Sequence, residues 1–191
     1  MKTEILVYFS ENWSGSKDEL AEVIDALNIK TIKKGTILVQ EGAVSTLCYY
    51  ILKGCVRQYI LEDGIEKTTA FYTENQAVVP FQTYLKGKPS NHFTVCLEDV
   101  TAIVGNPEEE KEMYRKFPNL ESLTRTMVEQ DFGKTQEDFA NFVTSSPEKR
   151  YLDLIKNRPD LIQRVPQHQI ASYLGVTPES LSRIRRRLAK K

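Results

Sequence analysis

Four arginines lie within five residues close to the end of the printed sequence, at position 183 and at positions 185–187. A guanidinium group keeps its charge at every ordinary pH and can donate two parallel hydrogen bonds to a phosphate or to the edge of a guanine. Glu179 lies one helical turn before Arg183, so both fall on one side if this stretch is a helix. The stretch therefore has the chemistry to recognise an anion, most obviously a nucleic-acid backbone.

The charge of the chain is distributed unevenly. Lys and Arg balance Asp and Glu at 26 each, yet residues 145–191 hold eleven basic side chains against four acidic ones. The rest of the chain carries the opposite imbalance. This distribution predicts two modules with different partners, of which only the last quarter meets the anion.

The residues around Gly175 have the pattern of two short helices joined by a tight turn. A glycine suits a left-handed turn because it has no Cβ to clash there. A second helix is predicted over residues 177–190. Its start is marked by Thr177 as cap, Pro178 at the first position and Glu179 in the first turn. Apolar residues fill the packing positions on both sides of the glycine: Ile170, Ala171, Leu174, Val176, Leu181 and Ile184. The pattern predicts a helix-turn-helix.

The polar face of that second helix predicts contact with double-stranded DNA. We expect Glu179 and Arg183 to meet base edges in the major groove, with Arg183 donating to guanine and Glu179 accepting from a cytosine amine. Thr177 and Ser180, with the flanking Arg185 and Arg187, would position the protein on the phosphate backbone. The candidate DNA-binding residues are Thr177, Pro178, Glu179, Ser180, Ser182, Arg183, Arg185, Arg186 and Arg187. The alternative is a ligand-binding or protein-interaction module, whose basic end would show no steep salt dependence with duplex DNA.

Residues 30 to about 104 consist of short β-rich runs separated by turn residues, which favours a sandwich or a small barrel. Asp63-Gly64 between two such runs is typical of a hairpin, and Gly54 inside a run predicts a bulge or a sharp bend. A helix capped by Ser16 precedes the strands, and helical patterns follow from Pro107. The predicted fold class is α+β.

The helical part contains an apolar stripe of Leu120, Leu123, Met127 and Val128. We expect this stripe to pair with the same helix of a second subunit in a homodimer, and packing within its own subunit is the alternative. Ser146-Pro147 predicts a fresh helix start. The predicted domains are residues 1–117, a linking helix over residues 118–145 and a DNA-binding domain over residues 146–191.

Composition argues against several classes of protein. No run of eighteen apolar residues occurs, which excludes a membrane span, and the N-terminus lacks the features of a secretory signal, so we expect a cytoplasmic protein. Three widely spaced cysteines predict neither disulfides nor a metal site. Two histidines are too few for a clustered metal centre, so no catalytic residue and no metal are predicted. A cupin-like metalloenzyme is the least favoured alternative.

The order of a β-roll, a long helix and a helix-turn-helix resembles the Crp/Fnr family of bacterial transcription regulators over essentially the full length. The stretches that carry this resemblance are KKGTILVQEG, YYILKGCVRQY and IASYLGVTPESLSRIRRRL. It implies a cyclic-nucleotide-binding-type jelly roll (a double-stranded β-helix) as sensor domain and a dimerisation helix. It also implies a C-terminal helix-turn-helix that is winged in longer members. A pseudo-palindromic promoter site and RNA polymerase as a partner follow from the same resemblance.

The ligand side departs from the family pattern. Cyclic-nucleotide-binding members carry a Gly-Glu pair and, about ten residues later, an Arg that pairs with the phosphate. Pro80 and Phe81 stand here in place of Gly-Glu, and Asn91, near the position of the Arg, cannot supply a fixed positive charge. The resemblance thus implies a degenerate effector pocket of Pro80, Phe81, Gln82, Asn91 and His92. No cofactor is expected, cyclic AMP is not expected as the effector, and another small molecule stays open.

Overall fold

The computed structural model describes residues 9, 10 and 12–189, and within this part it leaves out the side chains of Gln82 and Leu85. Helix α1 (Lys17–Ala26) precedes the sheets. Ser16 caps it as predicted, because its hydroxyl accepts a hydrogen bond from the Glu19 N–H at 3.1 Å. The apolar face of α1, which includes Val23 and Ile24, is buried.

The described residues form eight strands in two four-stranded antiparallel sheets, in the spatial orders β1-β8-β3-β6 and β2-β7-β4-β5. The strands are β1 (Ile29–Ile32), β2 (Ile37–Val39), β3 (Cys48–Lys53), β4 (Val56–Glu62), β5 (Ile65–Tyr72), β6 (Ala77–Val78), β7 (Phe93–Cys96) and β8 (Val100–Gly105). Side chains such as Ile51, Val56 and Val100 are fully buried in one cluster of the β-roll. The predicted β-roll is confirmed.

Two glycine positions shape the strand connections as predicted. Asp63 and Gly64 take positive φ angles of 52° and 76° at the β4–β5 hairpin. Gly54 has φ 116°, and a Cβ there would lie 2.9 Å from both Asp99 O and Val100 Cα. The corner between β3 and β4 therefore closes only around a residue without a side chain.

Seven further helices lie in the described part of the chain. They are α2 (Phe81–Lys86), α3 (Pro107–Lys116), α4 (Pro118–Thr144), α5 (Pro147–Asn157), α6 (Pro159–Arg164), α7 (Gln167–Tyr173) and α8 (Pro178–Leu188). Five of these begin at a proline, whose missing N–H costs nothing in a first turn. No strand follows Gly105 within the described part, so that part carries no wing. None of its helices is both long and apolar enough to span a bilayer.

The predicted dimer stripe on the long helix α4 needs correction. Leu120 and Leu123 are buried inside their own chain, in a cluster with Val23 and Phe117. These two leucines are therefore not available to a partner, because α1 and Phe117 already cover them. Val128 is 45% exposed, and every residue from 128 to 141 is exposed. The stretch of α4 that is exposed on all sides thus begins where the predicted stripe ends.

The C-terminal helices pack against the β-roll of the same chain. Cys55 and Phe71 of the roll share one buried cluster with residues of α6, α7 and α8, among them Leu161 and Leu181. The rings of Phe71 and Tyr173 meet edge to face with centroids 5.2 Å apart. This interface determines where the basic helices lie relative to the strands.

Candidate nucleic-acid interface

The turn between α7 and α8 has the geometry that its sequence predicts. Gly175 takes a φ of 70°, in the left-handed region. Its N–H donates to Ser172 O at 3.0 Å, and the Val176 N–H donates to Ala171 O at 3.0 Å. These hydrogen bonds use the carbonyls at the end of α7 and turn the chain directly into α8.

Helix α8 begins with a full set of start signals. The Thr177 hydroxyl accepts a hydrogen bond from the Ser180 N–H at 3.2 Å, and Pro178 occupies the first position. Hydrogen bonds from its own backbone N–H and from the Thr177 hydroxyl lower the pKa of Glu179, and together with the charge of Arg183 they outweigh the opposing effect of burial. Glu179 is therefore an ionised acceptor at neutral pH.

The two faces of α8 differ as the sequence predicts. Leu181 and Ile184 are buried, and most of the predicted DNA-binding side chains lie on the exposed face. The exposed ones are Thr177, Pro178, Glu179, Ser182, Arg183, Arg186 and Arg187, whereas Ser180 and Arg185 are half-buried. Within the described residues, no carboxylate forms an ion pair with Arg183, Arg185 or Arg186. These guanidinium groups are free to bind an external anion.

Arg187 differs from the other arginines of α8. It forms an ion pair with Glu148 at the start of α5, although its side chain is 59% exposed. Part of its charge is thus neutralised within the module.

A groove of about 490 Å³ lies between α5 and α8, lined by apolar residues such as Leu152 and Ile155 and edged by Arg185 and Arg186.

Three further arginines of the basic quarter have internal partners that the sequence did not predict. The first is Arg150, whose Nε donates to Phe142 O at 2.9 Å and whose Nη1 donates to Leu174 O at 3.1 Å. Its guanidinium also stacks 3.8 Å above the centre of the Phe142 ring. Arg150 therefore joins the end of α4 to the turn before α8.

Arg158 and Arg164 contact the β-roll. Arg158 donates to Phe71 O at 3.0 Å, and Arg164 donates to both carboxylate oxygens of Glu74 at 2.9 and 3.0 Å. Arg164 also pairs with Glu98. Their partners in the roll are 66 to 90 residues distant in the chain, so no local sequence signal could reveal these contacts.

The predicted effector-pocket residues whose side chains are described differ in burial. Pro80 is buried, Phe81 is 53% exposed and Asn91 is exposed, with its Oδ1 3.1 Å from His92 Nδ1. Burial lowers the pKa of His92, which favours the neutral imidazole. The side chain of Gln82 lies outside the described part.

The buried polar groups of this region are ones that the sequence reasoning missed. The Ser90 hydroxyl donates to His92 O at 2.9 Å, and the Thr83 hydroxyl lies 2.7 Å from Ser45 O and 2.9 Å from Pro80 O. Both side chains are buried. They fasten α2 and the following loop to the roll, which is a structural role.

Of the charged side chains that the structure describes, only Arg57 is buried. Its Nε donates to the Thr68 hydroxyl at 2.9 Å, it pairs with Glu66, and it lies 4.6 Å from the centre of the Tyr59 ring. The cation that the roll does bury is therefore already neutralised within the chain.

Comparisons with known proteins agree with this architecture. Residues 29–116 match the family model of the cyclic nucleotide-binding domain. The chain is similar to the c-di-GMP responsive global regulator CLP of Xanthomonas campestris, with a TM-score of 0.68 and 12% identity over 92% of both chains. It is also similar to a mutant CooA from Carboxydothermus hydrogenoformans, with a TM-score of 0.66 and 17% identity over 88% of this chain and 79% of CooA.

A third similar structure is FixK2 from Bradyrhizobium japonicum, with a TM-score of 0.64 and 16% identity over 86% of this chain and 85% of FixK2. A comparison with curated protein sequences finds no match. These comparisons agree with the resemblance predicted from the sequence motifs: residues 29–116 match the family model of the cyclic nucleotide-binding domain, and the chain shares its fold with these solved structures.

Proposed function

We propose that this protein is a transcription regulator that binds double-stranded DNA as a homodimer. The observation that carries the proposal is the exposed face of α8. On this face Glu179 and Arg183 lie one helical turn apart, just after the tight turn at Gly175. A second helix placed in this way enters the major groove with its N-terminal residues on the base edges. The absence of internal ion pairs at Arg183 and Arg186, within the described residues, leaves both for DNA.

The residues of α8 divide between base recognition and backbone contact. Arg183 donates two hydrogen bonds to a guanine, and the ionised Glu179 accepts one from a cytosine amine. Thr177, Ser180 and Arg186 contact phosphates and hold the helix in register. Arg185 and Arg187 flank this face, and Ser182 lies within it.

The dimer forms along the exposed part of α4. Four large apolar side chains there are 45 to 68% exposed: Val128, Phe132, Phe139 and Val143. At 100° per residue they fall within a sector of about 60° on the helix surface. A helix that is exposed on all sides over residues 128–141 has little to stabilise it alone, and pairing with the same helix of a second subunit would bury this apolar face.

The β-roll is the sensor of the proposed regulator, and its effector is a small molecule other than cyclic AMP. A cyclic phosphate needs a cation that offsets its desolvation, but Arg57, the buried cation of the described part, already serves Glu66. Contact with RNA polymerase is part of the same proposal, by resemblance to the family.

Selection of binding sites from a random pool of duplex DNA tests the function. We expect the full chain to enrich a pseudo-palindrome whose half-sites lie about 34 Å apart, one turn of the double helix. Failure to enrich any sequence, together with binding that does not weaken as salt rises, would favour a protein-interaction module and overturn the proposal.

Thermal unfolding with and without millimolar cyclic AMP tests the effector proposal. A ligand at 100 times its dissociation constant stabilises the folded state by about 2.7 kcal/mol, which raises the melting temperature by several degrees in a chain of this size. We expect no rise. A clear rise would show that the pocket binds cyclic AMP despite Pro80, Phe81 and Asn91.

A further inference from the structure

One end of the β-roll forms a socket for the C-terminal module. It consists of the β3–β4 corner (residues 53–55), the β5–β6 turn (residues 73–76) and the β7–β8 turn (residues 97–99). Arg164 enters this socket from the end of α6. It donates to both oxygens of Glu74, and its Nε lies 3.2 Å from a carboxylate oxygen of Glu98.

Arg158 contacts the same end of the roll from the residue just before α6, six residues earlier in the chain. Its Nη1 donates to Phe71 O at 3.0 Å, and its Nη2 donates to the Thr73 hydroxyl at 2.8 Å and to Gln76 Oε1 at 3.3 Å. Gln76 Oε1 also accepts from the Thr73 N–H at 2.9 Å, so the turn holds its own shape. The two arginines thus hold the two ends of α6 against the roll.

The socket itself is held by hydrogen bonds within the roll. Glu74 Oε1 accepts from the Gly54 N–H at 2.8 Å, at the corner that tolerates no Cβ. The Leu97 N–H donates to Cys55 O at 2.8 Å and ties the β7–β8 turn to the same corner. Hydrogen bonds within the roll therefore hold Glu74 and the β7–β8 turn independently of the two arginines.

The position of α6 determines the position of α8. Leu161 and Val165, at the end of α6, are buried in the same cluster as Leu181 and Ile184 of α8. The only covalent link from α4 to this module is Ser145-Ser146, between the end of α4 and the start of α5. Because only these two residues join the module to α4, noncovalent contacts set its angle: those of α6 with the roll, the Phe71–Tyr173 contact, and the hydrogen bonds of Arg150.

We propose that Arg158 and Arg164 are positioning residues that fix the angle of α8 relative to the β-roll, and thereby the half-site spacing that the dimer reads. This inference rests on the proposed function, because spacing has meaning only for a dimeric DNA reader. The contacts in the socket then link the β-roll to the recognition helix α8 by a route separate from the long helix α4. Residues that never touch DNA then contribute to specificity.

The direct test measures the distance distribution between spin labels on the roll and on the C-terminal module in the full chain without DNA. Exposed Lys30 and Gln163 are suitable label sites once changed to cysteine, in a Cys48→Ser background that leaves only the buried thiols Cys55 and Cys96. We expect a narrow distribution in the parent protein and a broad one in the Arg158→Ala/Arg164→Ala variant. An unchanged narrow distribution in that variant would overturn the proposal.

The matched control is Arg187→Ala, which removes an ion pair inside the C-terminal module and leaves the socket intact. Its distribution should stay narrow. Arg164→Lys keeps the charge but only one of the carboxylate contacts, so its width should lie between those of the parent and the alanine variant. If the arginine double variant does not fold, Glu74→Gln/Glu98→Gln removes the same ion pairs from the side of the roll, and it too should broaden the distribution.

The spacing readout uses the selected palindrome with one base pair inserted between its half-sites, which separates them by about 3.4 Å more. The parent should lose affinity about tenfold or more on the altered site, and Arg158→Ala/Arg164→Ala should lose much less. Equal losses would overturn the role in spacing. If the parent binds no duplex at all, the proposed function fails, and the distance measurement alone still decides whether the two arginines position α8.

Discussion

The arginines of α8 and the arginines of residues 150–164 belong to the same basic quarter of the chain, but their surroundings differ. Arg183 and Arg186 are exposed, and neither forms an ion pair in the described part. Arg150 donates to two backbone carbonyls, and Arg164 sits between Glu74 and Glu98. The first group is available to an anion, and the second is occupied by the fold.

This difference shows that basic composition alone overstates a nucleic-acid interface. Eleven basic side chains in residues 145–191 suggested one surface, yet three of them hold the module to the long helix and to the β-roll. A guanidinium group is well suited to both tasks, because its five donors can bind phosphates or bridge several internal acceptors. Geometry, and not charge, separates the two groups. Four predictions test that separation.

The largest effect on stability is expected for Arg150→Ala. The substitution leaves the carbonyls of Phe142 and Leu174 without this donor and removes the stacking on the Phe142 ring, which together should lower the free energy of unfolding by about 2–3 kcal/mol. The melting temperature should fall by about 5–10 °C in a chain of this size. Lys149→Ala is the matched control, since its side chain is exposed, and should change stability by less than about 0.5 kcal/mol. An unchanged melting temperature in Arg150→Ala would place this arginine with the DNA-binding group.

Arg183→Ala should weaken DNA binding and leave stability almost unchanged, the reverse of Arg150→Ala. We expect it to cost about 1–3 kcal/mol of affinity for the selected duplex and to relax preference at one base pair, with little change in melting temperature. Titration of the selected duplex and its single-base-pair variants measures both effects. A uniform loss over all sequences would instead make Arg183 a phosphate contact.

The ion pair of Arg164 predicts a moderate pH dependence. Burial raises the pKa of Glu74, but hydrogen bonds from Arg164, from the Gly54 N–H and from its own N–H outweigh burial, and the net pKa lies below the ordinary 4.5. The unfolded chain then binds more protons than the folded one as pH falls below 4.5. The stabilisation by Glu74 is therefore complete above that pH and is lost as pH falls through the folded-state pKa. Denaturant unfolding between acid and neutral pH should show a smaller pH dependence for Glu74→Gln than for the parent, and identical curves would contradict this role.

Arg187→Ala should give the smallest change in stability. Arg187 is exposed like the other arginines of α8, but it also has an internal partner, Glu148. Its pair with Glu148 is largely exposed, so Arg187→Ala should change the free energy of unfolding by about 0–1 kcal/mol. Screening should abolish even that difference at high salt. Thermal unfolding of both proteins at low and high salt measures it. A difference that persists at high salt would assign Arg187 to the structural group.

Much of this architecture was predictable because its signals are local. Ser16, Ser146 and Thr177 cap the helices that follow them, and Gly175 takes the left-handed conformation. Each of these assignments depends on residues within one or two turns of chain. The same holds for the hairpin at Asp63-Gly64.

The rest depended on residues far apart in the chain. Leu120 and Leu123 have the spacing of a dimer stripe, and only the position of α1 shows that they are covered by their own subunit. Arg164 meets Glu74 across 90 residues, so its sequence neighbourhood gives no sign of the pair. Periodicity identifies an apolar or basic face, but the fold decides what covers it.

The salt dependence of duplex binding tests the central distinction most directly. We predict that the logarithm of the affinity of the parent protein falls steeply and linearly with the logarithm of salt concentration, by about 0.9 per phosphate contact. Arg186→Ala should reduce that slope by about one, and Arg164→Ala should leave it unchanged. A slope near zero in the parent, or an equal reduction in both variants, would contradict the account.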